Sequence, residues 1–222
     1  MTTRHTISRA ETLFQGQAVY PPYQSSKPGI QLTPVYWHNF GAPEVADADG
    51  ISVSATITAP ANAVIGGALA ASGVATFTTP RNVVGAWTNT ATVTFTGTDQ
   101  YGQAMTETSA SGTSHAGAKA FKTVTQVTPS ATVTGATFGT GDVLGLPFRV
   151  DANGLLSARA NNAIDAGTFV PAVTTSPATA TTGDVRGTFD PAVALNGTNT
   201  VAVLIKVADT STKVGSFGVT QA

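Results

Sequence analysis

Asp99 and Glu107 stand on either side of Gly102 in the stretch VTFTGTDQYGQAMTETSASG (93–112), two carboxylates in a chain where only 10% of residues are charged. Paired carboxylates can hold a metal or run acid–base hydrolysis, provided that a cleft brings them face to face. Neither has a second ligand nearby in sequence. Asp99 suits an Asx turn, its side chain accepting from local backbone amides, and Gly102 suits the left-handed backbone of such a turn. The stretch therefore reads as a β-hairpin, with Val93 and Phe95 facing a core and Tyr101 at the tip as a contact residue.

Other constellations lead away from catalysis. His5, His38 and His115 lie far apart, with no cysteine in the chain to complete a zinc set. Asp47-Ala-Asp49-Gly50 opens like a calcium loop but lacks the later ligands and the closing bidentate Glu. It reads as a polar turn that launches a strand at Ile51. Ser114 and His115 are adjacent, and strand neighbours face opposite ways, which forbids a hydroxyl–imidazole bond between them. Gly139, Gly141 and Gly145 in GATFGTGDVLGLP miss the dinucleotide spacing and read as a glycine-rich strand connection. Lys119, Lys122, Arg149, Arg159 and Arg186 are dispersed and read as solvated or interface charges. The chain reads as a non-enzyme, with no catalytic, cofactor-binding or metal-binding residues and no cofactor.

The elements that carry these residues are strands. Thr, Ala, Val and Gly dominate while Leu, Lys and Glu are scarce, the composition of half-exposed strands joined by tight turns. ISVSATIT (51–58) alternates apolar and hydroxyl side chains. VATFTT (74–79), NTATVTFT (89–96), QAMTETSA (103–110), AKAFKTVTQVTP (118–129) and SATVTGATF (130–138) follow, with PANAVIGGALAASG (60–73) as an irregular loop. LPFRV and LLSAR flank a turn at Asp151-Ala-Asn-Gly154, and VAL and NTVAVLIKV flank another at Asn196-Gly197. VAVLIKV (201–207) is almost continuously apolar, the mark of a central strand covered on both faces, and KVGSFGVT (213–220) reads as a closing strand. The expected fold is all-β, a β-sandwich or barrel-like antiparallel arrangement. Residues 51–150 are its β-domain, and 151–222 continue that domain or form a second small β-lobe.

Residues 1–50 are different. Phe14, Tyr20, Tyr23, Tyr36, Trp37 and Phe40 are interspersed with five prolines at a spacing that fits neither a helix nor a strand, so an extended arm is expected. Aromatics need somewhere to be buried, which makes these six, with Tyr101, the candidate interface residues. A net charge of −1 speaks against a nucleic-acid partner. No run approaches the roughly 18 apolar residues of a membrane helix, so no membrane partner is expected. The opening MTTRHTISRAETLF lacks an apolar signal core, so the expectation is use without Sec export. A Thr/Ala surface this poor in charge suits a protein packed against neighbours.

The segments VTFTGTDQYGQAMTET, AGAKAFKTVTQVT, GTGDVLGLPFRVDANG and TATTGDVRGTFDP resemble virion structural proteins of tailed bacteriophages, in particular capsid decoration (cement) proteins. The resemblance spans residues 90–190 and brings no functional residue with it. It implies a protein on the capsid surface of a virion assembled in the host cytoplasm. Its partners would be the major capsid protein and copies of itself, as a homo-oligomer such as a trimer. A tail, neck or fibre component is the alternative within that class. A carbohydrate- or host-surface-binding β-sandwich is the alternative outside it.

Overall fold

A computed structural model describes residues 35–173 and 183–206, and these form antiparallel β-structure without a helix. The expected all-β, barrel-like architecture is what the chain adopts. Nine strands make a large sheet and four make a small one.

The large sheet is built on β4 (Val74–Ala91), β7 (Gly112–Pro129) and β8 (Val133–Gly145). Its order is β11-β12-β8-β4-β7-β5-β6, with β2 (Ser52–Ile57) against β8 and β3 (Ala70–Ala71) against β4. β5 (Val93–Thr98) and β6 (Ala104–Thr108) form the hairpin read from the sequence, while β11 (Thr168–Val170) and β12 (Thr188–Asp190) extend the far edge.

The register shows how strongly this sheet curls. Ala91 pairs with Gly112 at one end of β7, and Val93, two residues on, pairs with Pro129 at the other end. Two residues span at most about 7 Å, so the 18-residue strand must bend back until its ends meet. Thr92 and Ser130 close that junction through a Ser130 N–H to Thr92 carbonyl bond of 2.8 Å. Register shifts along the β4–β7 ladder supply the bend, since each bulge adds local twist. The result is a half-barrel around Phe77, Trp87, Phe95, Met105, Phe121, Val124 and Phe138. Phe95 meets Phe138 edge-on at 5.6 Å. The turn at Asp47 lies across β8 so closely that any Cβ on Gly139 would run into the Asp47 carbonyl.

The small sheet has the order β1 (Val35–Gly41), β13 (Val201–Lys206), β9 (Leu155–Ala160), β10 (Ala163–Ile164). Tyr36 and Phe40 on its inner face pack over a second core of Leu144, Leu146, Val150, Phe189, Val201, Val203 and Ile205. β8 links the two cores, giving Phe138 to one and Leu144 to the other.

Several sequence expectations need correction. Residues 35–41 of the expected arm are strand β1, laddered to β13, because Tyr36, His38 and Phe40 alternate onto the second core. LPFRV is no strand; Leu146 and Val150 donate to the carbonyls of Gly187 and Arg186 in an irregular seam. VAL (193–195) is also irregular, since Asp165 takes the amides of Ala192 and Val193. The glycine-rich stretch around Gly139 and Gly141 lies inside β8 and is not a connection. Residues 1–34, with Phe14, Tyr20 and Tyr23, and the segment 213–220, expected as a closing strand, lie outside the described residues.

Candidate interface and the buried charge cluster

The hairpin that raised the question of chemistry folds as an Asx turn. Asp99 Oδ1 accepts from the amides of Tyr101 (2.8 Å) and Gln103 (3.0 Å), and Gly102 has a φ of +78°. Its other oxygen does something the sequence did not disclose. Asp99 Oδ2 accepts from the Arg186 guanidinium at 2.9 Å, with both side chains buried. Arg186 also lies under the Tyr101 ring, 5.3 Å from its centre. Tyr101 is 46% exposed, yet it is not a free tip, because its hydroxyl donates to the Pro147 carbonyl at 2.6 Å. Burial raises its pKa, partly offset by Arg186.

Glu107 is likewise inside. It sits opposite Phe95 on the core face of the hairpin and is 1% exposed. Where β5 ends, at Thr98 opposite Thr123, β7 loses its backbone partner on that edge. Buried amides must still be satisfied, and carboxylates take over. Glu107 Oε1 accepts from Ala118 N (2.7 Å), and Asp184 Oδ2 accepts from Ala120 N (3.0 Å). Asp184 Oδ1 closes a second turn by accepting from Arg186 N at 2.8 Å. Between these acids lies Lys119, fully buried, its ammonium donating to the Thr106 carbonyl at 2.6 Å.

Burial pulls the Lys119 pKa down, and Glu107 and Asp184 pull it back up. Burial raises the Asp184 pKa, opposed by Arg186 and by the two backbone amides. Glu107 Oε2 faces His115 Nε2 at 3.8 Å, too long for a hydrogen bond, and the His115 ring stacks on Phe95. The cluster therefore lines the core as structural wiring around a turn. The expectation of solvated or interface charges fails for Lys119, Arg149 and Arg186, all of them buried, and holds for exposed Arg159. Lys122 is half-buried and donates to the Thr78 carbonyl.

The expected interface residues separate by face. Tyr36 and Phe40 point inward, Tyr36 meeting Phe148 edge-on at 5.1 Å. His38 lies between them, T-shaped to Phe40 at 4.5 Å, and burial lowers its pKa. Trp37 points outward and is 47% exposed. The outer face of β6, β5, β7 and β4 carries Thr106 and Thr108, then Thr94, Thr96 and Thr98, then Thr123 and Thr128, then Thr76 and Thr78. Hydroxyls pair across strands, as at Thr94–Thr108 (2.9 Å) and Thr98–Thr123 (2.7 Å). A recess of about 20 Å³ beside Arg81 and Thr140 has room for little more than a water molecule. No group of three metal-ligating side chains converges among the described residues. Comparison with protein-family models, curated proteins and solved structures finds no match.

Proposed function

We propose that this chain is a structural protein of a tailed-phage virion, a capsid decoration protein that stabilises the head by bridging shell subunits. The observation that carries this reading is where the charges go. The chain has 23 charged side chains, and among the described residues seven are buried: Arg81, Asp99, Glu107, Lys119, Arg149, Asp184 and Arg186. A composition already poor in charge thus leaves even less on the surface, and hydroxyls and methyls cover the rest. Free monomers maintain solubility with mixed surface charge, whereas a subunit covered by neighbours has no such need. The bent half-barrel, with the Arg186–Asp99 ion pair joining segments distant in sequence, is a preformed platform on which multivalent contacts add without ordering the β-domain anew.

The test is reconstitution. Purified full-length chain is added to phage heads that lack it, and bound copies are located by electron microscopy. Density spread over the whole shell, with increased resistance of the head to heat, supports the reading. Density confined to one vertex assigns the chain to the neck or tail, and no bound density rejects it.

A further inference from the structure

Two outer sheet faces of this molecule are built differently. On the large sheet the strands alternate as a half-solvated strand should: β5 reads VTFTGT, with Val93, Phe95 and Gly97 buried and threonines outside. On the small sheet β13 reads VAVLIK, where Val201, Val203 and Ile205 fill the core and Ala202 and Leu204 occupy the other face. The ladder places Trp37, Leu204 and Ser157 in one row across that face, and Ala202, Arg159 and Ile164 in the next. Opposed residues of an antiparallel ladder share a face, so these rows form one surface. Val35 is 53% exposed there, Trp37 47% and Ile164 82%, with Leu156 at the β9 bulge 51% exposed. A strand apolar on both sides belongs to a sheet with two covered faces.

The charges on this face say what covers it. Arg159 and Lys206 are exposed on it, and neither forms an ion pair among the described residues. The rows contain no acid, although the chain as a whole has net charge −1. A second copy docked face to face would gather two Arg159 and two Lys206 in one interface with no acid in these rows to compensate them, which like-charge repulsion disfavours. We infer that the outer face of the β1-β13-β9-β10 sheet docks on the shell, against an apolar protein surface edged by carboxylates, with Trp37 on its edge strand as the anchor. Trp in a desolvated pocket is the kind of residue that dominates interface energy, and rim cations set the rate and specificity of encounter. This inference rests on the decoration reading and names the face and the partner chemistry it requires.

The experiment uses the full chain, heads lacking it, and two charge-altered variants. R159E/K206E reverses the rim, and T76E puts an acid on the threonine face as a control. Circular dichroism first verifies that both fold. Wild type and T76E are expected to bind alike, with affinity falling as salt rises, and R159E/K206E to bind at least tenfold more weakly. Equal binding by R159E/K206E overturns the face while the decoration reading stands. Failure of the wild type to bind rejects the decoration reading and the docking face with it. Trp37 fluorescence, isolated by comparison with W37F, covers the other occupants. In the free chain it should be open to iodide quenching; protection that disappears on truncating residues 1–34 or 207–222 makes the cover the chain's own. Sedimentation showing a dimer that R159E/K206E changes makes it a second copy. Either result overturns the assignment to the shell.

Discussion

Replacing Arg186 by Met tests whether the hairpin tip is clamped from a distance. Arg186 lies 87 residues from Asp99 in sequence, so their 2.9 Å contact ties the β5–β6 turn to the 183–187 segment. Removing one partner of a buried pair leaves the other charge uncompensated, which costs about 3–5 kcal/mol. Asp99 retains its two backbone amides, from Tyr101 and Gln103, which places the expected loss at the lower end. For a chain of this size each kcal/mol shifts Tm by roughly 2–4 °C, so R186M should melt about 6–12 °C lower. The informative variant is D99N/R186M. Asn at 99 preserves the Oδ1 acceptor of the turn and removes the stranded charge, so the double variant should recover at least half of the loss. Thermal melts followed by circular dichroism, with urea unfolding to show that m is unchanged, measure both numbers. A drop below about 2 °C for R186M, or a double variant no better than the single, refutes the clamp.

Three smaller perturbations follow from the same packing. Gly117→Ala should cost about 1–3 kcal/mol in urea unfolding, because its Cβ would lie 2.7 Å from Glu107 Oε2 and 2.8 Å from the Val83 carbonyl; full stability would mean that Glu107 has room to move. Tyr101→Phe should cost about 1 kcal/mol for the bond to Pro147 and leave head binding unaltered, whereas weakened binding would return the hairpin tip to the interface. His38 has its pKa lowered by burial, so its contribution is present above the ordinary imidazole value of about 6.5 and is lost as pH falls through the folded value. Wild type should therefore lose stability relative to H38F on acidification from about pH 7.5 to 5, and parallel pH profiles would contradict this.

How much of this was legible in sequence differs by element. Alternation in VTFTGT and the Asx chemistry of Asp99 are local, so the hairpin and its turn could be read directly. The aromatic spacing of β1 reads as part of an arm, because prolines up to Pro34 run directly into it and its partner β13 lies at least 160 residues away. Glu107 was placed on the returning strand but not inside the core, since nothing local says that a carboxylate will replace a missing strand as acceptor for Ala118.

Local patterning is enough for the class of fold: period-two alternation, β-branched composition and turn residues act over a few positions and suffice for strands and hairpins. Which charges lie inside follows from long-range packing alone. Arg186, Lys119 and Asp184 look like surface residues in any window of sequence. Burial becomes favourable when distant segments supply each group with partners at hydrogen-bond distance, and that pairing exists only once β7 has bent back on itself. The same holds for the open face around Trp37, which is a face only because β1, β13 and β9 meet in one register.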